Sequence, residues 1–433
     1  LTQIAAKGKG IGGKIFCILI CIILGVGSFY IGKVNNAFQK ITGSNKKTSS
    51  MVVAVKADDN ADTLSAAAGY TFGVQYATGG DQTKSAVKQI EKELGQNITL
   101  QEYSNLGEEA QALYDGEVDA IIYNSAYSNI IKEQYSTFTK DTKVIYKHNI
   151  VVEIESDTSD ESVTKPFAVY LSGIDTNGDI TEQGRSDVNI VAVVNPTSHQ
   201  VLLITTPRDY YVPIPGVSGG QDDKLTHAGI YGVDVSMQTL EALYDTDIEF
   251  FGRVNFTSMT SVVDALGGLD VESDLEFDTG WESGAEIHVN EGMNHFDGIS
   301  ALAFCRERQA LPDGDNGRGV HQQAVITAII KKMMSPAMLR GASDIIESVS
   351  DGVDTNFTSS QIQSLIKTQL RTNAKWNIYS AAADGTGGTD ICYSSGDEEL
   401  YVTYPDENSV AEISELIKKV KDGETIEGSV STE

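Results

Sequence analysis

Apolar residues fall along this chain in three regimes. From residue 15 to residue 32 (IFCILICIILGVGSFYIG) they run on without a charge, which at the rise of an α-helix spans roughly 27 Å. Such a run predicts one transmembrane helix over 15–34, with 1–14 as a cytoplasmic tail because Lys7, Lys9 and Lys14 precede it. No small-x-small cleavage site follows, so an uncleaved anchor is preferred to a signal peptide. Residues 35–50 turn polar and read as a linker.

The second regime alternates short apolar strands with amphipathic helices. Strands are expected at 70–74, 98–103 and 120–123, helices at 82–94 and 106–113, and a pair of short strands over 144–154. This pattern predicts a small α/β accessory domain over 51–155, followed by a charged linker at 156–166. The third regime, 167–425, is a longer α/β unit. Strands are expected at 167–174, 187–194, 200–206, 248–254, 269–272 and 376–379, the second and third forming a hairpin around the turn at 195–198. Helices are expected at 235–243, 257–266, 300–304, 320–334, 359–370 and 409–420. A mixed β-sheet flanked by helices is the architecture these imply.

Charge changes the picture. The 433 residues carry a formal charge of −29, which argues against nucleic acid as a partner because its phosphates would be repelled. Against that background all eight arginines lie at or beyond residue 185. Guanidinium is permanently charged and presents donors in a fork that fits phosphate oxygens in pairs. Arg306 and Arg308 share a face if 304–309 is extended, and Arg318 and Gln322 share one if a helix has begun there. With Arg185 and Arg208 they suggest a pocket for a compact polyanion such as a diphosphate. Arg253, Arg340 and Arg371 read as surface cations. Asp175 and Asp187 fall at strand ends, where α/β sheets place ligands, and hard oxygen donors beside a diphosphate suit Mg²⁺.

Other chemistry finds no support. The glycine-rich start at 8–13 lacks the strand–loop–helix setting of a phosphate loop, and 175–179 lacks the glycine and glutamate of a calcium loop. No Gly-x-Ser-x-Gly, paired-cysteine or His-Glu-x-x-His spacing occurs. Of four cysteines only Cys305 and Cys392 lie outside the apolar run, and an extracytoplasmic setting leaves a single disulfide between them open.

The motifs Gly173-Ile174-Asp175, Gly184-Arg185-Ser186-Asp187, Thr206-Pro207-Arg208-Asp209 and Asp223-Lys224-Leu225-Thr226-His227-Ala228 follow one another in order. Val263-Asp264-Ala265-Leu266-Gly267-Gly268, Cys305-Arg306-Glu307-Arg308 and Asp315-Asn316-Gly317-Arg318 through Gln323 come after them. Together they resemble the LytR-CpsA-Psr family of cell-wall glycopolymer ligases, in the layout of its capsule-type (CpsA-like) branch. The resemblance implies a Mg²⁺-dependent phosphotransferase that moves a phospho-glycan, capsule polysaccharide or teichoic acid, from a polyprenyl-pyrophosphate carrier to peptidoglycan. It implies that Asp175 and Asp187 hold the metal, and that Arg208, Arg306, Arg308, Arg318 and Gln322 bind the pyrophosphate, helped by Arg185 and Lys224. Arg306, Arg308 and Asp315 would be catalytic, Asp315 either orienting an arginine or taking the acceptor proton. His321 departs from the family's usual arginine. A single-pass membrane protein with an extracytoplasmic catalytic domain follows. Two alternatives stay open: a non-catalytic membrane-anchored regulator that binds lipid-linked glycan, and a pyrophosphatase acting on the same carrier.

Overall fold

The alternation at 167–205 becomes the spine of the larger unit. In a computed structural model, residues 46–153, 162–174, 180, 183–312, 315–335, 338, 345, 352–396 and 398–426 are described. The apolar run at 15–32, Asp175 and Arg340 lie outside them. Among the described residues no helix is long and apolar enough to cross a membrane.

The first unit is a five-stranded sheet. Its elements are β1 (Lys46–Lys56), β2 (Thr71–Gln75), α1 (Gly80–Leu94), β3 (Thr99–Tyr103), α2 (Leu106–Asp115), β4 (Ala120–Asn124) and β5 (Thr142–Glu153), in the order β3-β2-β4-β1-β5. β1 begins inside the stretch read as linker. β5 is one strand rather than two, because pairing with β1 along its whole length carries it past the register shift at Val53/Ala54. The unit does not close its core alone. Leu106, Ala110, Leu113, Tyr127 and Ile130 pack with Ile214, Ala228, Ile230, Tyr231 and Val235 of the larger unit. The side chains of Ser49 and Asn124 both donate to Gln183.

The larger unit is built on β6 (Phe167–Ile174), β7 (Ser186–Asn195), β8 (Gln200–Thr205), α3 (Leu225–Tyr231), α4 (Val233–Tyr244), β9 (Phe250–Asn255), α5 (Phe256–Ala265), α6 (Gly298–Arg306), α7 (Asp315–Met333), β10 (Val353–Thr355), β11 (Asn377–Ala382) and α8 (Glu407–Asp422). Six of these strands form one sheet, in the order β10-β9-β6-β7-β8-β11. β6, β8, β9 and β11 run parallel to one another, and β7 and β10 run against them. One face packs Tyr170, Val191, Val193 and Ile204 on Leu240 and Tyr244 of α4 and Ile413 and Ile417 of α8. The other packs Val169, Ile190, Leu203 and Phe250 on Ile326 and Ile330 of α7. The hairpin forms as expected, with Asn195 accepting from the amides of Thr197 and Ser198.

Arg253 corrects one expectation. It is 4% exposed, and its Nη2 donates to Asp354 Oδ2 at 2.6 Å from the in-register partner on β10. Alternation with apolar neighbours suggested a solvated face, but helices cover both faces of this sheet. Asp354→Asn leaves that guanidinium buried without a countercharge and is expected to cost about 2 kcal/mol in denaturant melts. An unchanged midpoint would refute the pairing. Arg371 is exposed, as expected. The disulfide is not formed: Cys305 and Cys392 are both unbridged thiols. They sit in separate packing clusters, Cys305 against the Val263–Phe304 group and Cys392 with Leu400 and Val402.

Candidate functional site

Four parallel strands put their carboxyl ends at one edge of the large sheet, where β7 begins. Asp187 is the second residue of β7, and Arg208 leaves β8 three residues past Thr205. Arg208 Nη1 reaches Asp187 Oδ1 at 3.0 Å and its Nε lies 3.5 Å from Asp209 Oδ2. Lys224 Nζ stands 3.7 Å from the other oxygen of Asp209. Thr226 binds both ends of the cluster, Oγ1 to Asp187 Oδ1 at 3.3 Å and its amide to the Arg208 carbonyl at 2.8 Å. Arg185, half-buried, precedes β7 by one residue. Two cations thus alternate with two carboxylates in a mostly buried cluster, and each charge fixes its neighbour's geometry.

Lys224 has its own support. Buried Asp223 accepts from the Lys224 amide at 2.7 Å, from Ser394 and from His227 Nδ1 at 2.7 Å. Burial pushes the Asp223 carboxyl up, but His227 and these hydrogen bonds outweigh it and hold it below the usual carboxylate range. Asp223, His227 and Ser394 are all buried, so this trio braces Lys224 instead of presenting a nucleophile. Asp209, Asp223 and His227 stand in the sequence motifs without a role of their own, and Ser394 lies outside those motifs. The i, i+4 spacing of Asp223 and His227 at a helix start, and the Pro-Arg-Asp order, were the available signals.

The second half of the site comes from α6 and α7. Residues 304–309 are not an extended strand: α6 continues to Arg306, and the chain turns at Glu307. Arg306 and Arg308 therefore do not form a planar pair, and Arg308 is exposed. The turn is set by the Glu307 carboxylate, 2% exposed. Its Oε1 accepts from the amides of Arg308, Gln309 and Ala310, and its Oε2 from the Gly280 amide and Ser283 Oγ at 2.8 Å each. Burial alone would raise its pKa; the hydrogen bonds from Ala310, Gly280, Ser283 and Gln309 outweigh it and bring it down to about 2.

α7 starts at Asp315, five residues before the expected point, so Arg318 and Gln322 do lie one helical turn apart. A Cβ on Gly319 would stand 3.1 Å from the Thr205 methyl, which places the start of α7 against the end of β8. Gln322 Nε2 donates to the Cys305 carbonyl at 3.4 Å, and Gln323 Nε2 to the Ala381 carbonyl on β11 at 2.7 Å. Gln322 therefore ties α7 to the residue preceding Arg306. His321 stacks on Phe304, centroids 3.9 Å apart, and burial lowers its pKa so that it packs as a neutral ring. The side chain of Asp315 lies outside the described residues. The direct contacts join Asp187, Arg208, Asp209 and Lys224, and α7 carries Arg318 to the same strand end.

The profile of the LytR_cpsA_psr family matches residues 121–419. The polyisoprenyl-teichoic acid–peptidoglycan teichoic acid transferase TagU of Bacillus cereus (strain AH820) is 34% identical over 248 residues, covering 57% of this chain and 76% of that protein. TagU of Enterococcus faecalis (strain ATCC 700802 / V583) is 37% identical over 196 residues, 45% of this chain and 62% of that one. The crystal structure of B. subtilis TagV superposes with a TM-score of 0.52 at 26% identity, over 61% of this chain and 99% of the other.

Proposed function

The chain belongs to the LytR-CpsA-Psr family, and on that premise we propose that it transfers a phospho-glycan from a polyprenyl-pyrophosphate carrier to peptidoglycan. The observation that carries this reading is the charge-alternating cluster of Asp187, Arg208, Asp209 and Lys224 at the carboxyl edge of the sheet. The acceptor hydroxyl forms a bond to the glycan-bearing phosphorus, the bridging P–O bond breaks, and polyprenyl phosphate leaves with the electron pair. The acceptor proton passes to a base. Such a step asks the protein mainly for positioning and charge stabilisation. Arg208 and Lys224 are held for it by carboxylates, and Arg306 and Arg318 bring further cations from α6 and α7.

Asp187 and Asp209 offset most of the positive charge of Arg208 and Lys224, so the diphosphate needs more cation than this cluster supplies. A Mg²⁺ on Asp187 and Asp175 fits that need, because Mg²⁺ typically takes one or two carboxylates and completes its shell with substrate phosphates. Bound there, the ion would neutralise charge on the diphosphate. Asp187→Asn is expected to weaken Mn²⁺ binding, read by electron paramagnetic resonance with a prenyl diphosphate present, by about tenfold or more. Unchanged Mn²⁺ affinity would remove Asp187 from the metal site.

Teichoic acid is the polymer named for the relatives, and capsule polysaccharide is a second phospho-glycan of the same class. A peptidoglycan acceptor calls for a catalytic unit outside the membrane, with 15–34 proposed as its single-span anchor. The deciding experiment supplies purified lipid-linked glycan and peptidoglycan to the full chain. Glycan becoming covalently attached to peptidoglycan is the expected result. Free phospho-glycan released without peptidoglycan would make it a pyrophosphatase, and binding without turnover a regulator.

A further inference from the structure

Trp281 stands in water beside the arginine loop. It is 76% exposed, whereas the chain's other tryptophan, Trp376, packs edge-on against His199 and donates its Nε1–H to Gln369. Leaving an indole in solvent forfeits a large apolar contact, and this one is carried on a turn whose backbone is fixed.

The turn is fixed by the same carboxylate that fixes the arginines. Glu307 Oε2 holds Gly280 and Ser283 on either side of Trp281, while its Oε1 holds residues 308–310. The Ser283 amide closes on the Gly280 carbonyl at 3.0 Å and the Gly284 amide on the Trp281 carbonyl at 3.1 Å. Gln309 donates to Glu282 across the two segments. A Cβ on Gly284 would stand 3.3 Å from Arg306 Nη1, so that guanidinium lies on the end of the turn. Gly284 closes the turn that Trp281 opens, so the element carrying the indole abuts the Arg306 guanidinium.

From this geometry we infer that Trp281 is a stacking platform for the sugar bonded directly to the diphosphate of the lipid-linked donor. The inference rests on the anion-site reading above. The apolar C–H face of a pyranose suits the electron-rich face of indole. Glu282, next to Trp281 in the chain, and Gln309, which donates to it, are exposed and carry acceptors and donors for sugar hydroxyls. Because the turn is already ordered, little conformational freedom is lost when the sugar lands on it. The donor sugar is favoured over the acceptor glycan because it is tethered to the anion that Arg306 faces.

The test uses the full chain in detergent micelles with Trp376→Phe, so that Trp281 is the only indole. Two ligands are titrated: a short prenyl diphosphate, and the same diphosphate bearing one hexose. Trp281 fluorescence is expected to change with the sugar-bearing ligand only. Trp281→Ala should weaken that ligand about five- to tenfold and leave the sugar-free one unchanged, with Trp281→Tyr retaining most of the affinity. Equal affinity of the sugar-bearing ligand with and without the indole overturns the inference, and so does equal loss of both ligands. A rise confined to the KM for peptidoglycan also overturns it and assigns the indole to the acceptor. Arg208→Ala separates the underlying reading: if it weakens neither ligand the anion site is misplaced, whatever Trp281 does.

Discussion

Arg208→Ala is expected to lower transfer about 10²–10³-fold, the usual cost of removing one preorganised charge stabiliser. The size of the effect follows from how Arg208 is held. Asp187 fixes Nη1 and Asp209 faces Nε, and Thr226 pins the backbone carbonyl, so the guanidinium spends little freedom when a diphosphate arrives. Arg208→Lys should recover little, since an ammonium cannot span two carboxylates and a phosphate in one plane. Arg308→Ala serves as the contrast. Its side chain is exposed, water screens it, and a loss under about tenfold is expected. The measurement is kcat/KM for transfer of a lipid-linked glycan, with a thermal melt to show that the variant is folded. Near-normal transfer by folded Arg208→Ala would sink the assignment of this edge as the diphosphate site.

Much of this site was legible because its residues lie in short runs whose local geometry is forced. Asp187 begins the first strand of one hairpin and Arg208 follows the end of the second, and a hairpin brings its two ends together whatever else the chain does. The strand at 167–174 and the helices near 235–243 and 257–266 carried periodicities that burial rewarded. The misreadings share a different cause. Period-two spacing made Arg306 and Arg308 look like a strand pair, but α6 buries Ala301 and Phe304 and so continues to Arg306. Arg253 looked solvated because its countercharge, Asp354, lies about a hundred residues away on a three-residue strand. Glu307 looked like any charge between two arginines. Its role depends on the turn at 280–284, which only the folded chain brings to it.

That buried carboxylate carries the second large expectation. Glu307→Ala removes the acceptor for five donors at once, at a cost of roughly 3 kcal/mol. The loop at 307–310 and the turn at 280–284 should loosen together, seen as faster amide exchange in both and as a melting temperature lowered by several degrees at pH 7. Transfer should fall by at least about 10²-fold, because Arg306 loses its position without losing its charge. The pH dependence gives an independent check. The Glu307 pKa is depressed from 4.5 to about 2 in the folded chain, so its contribution is complete above about pH 4.5 and disappears as pH falls through 2. The wild-type advantage in stability over Glu307→Ala should therefore be flat from pH 7 to pH 5 and shrink steadily between pH 4.5 and 2. An advantage that instead grew on acidification, or amide protection left unchanged in both segments at pH 7, would mean that Glu307 does not hold them. The arginine loop would then owe its shape to α6 and α7 alone.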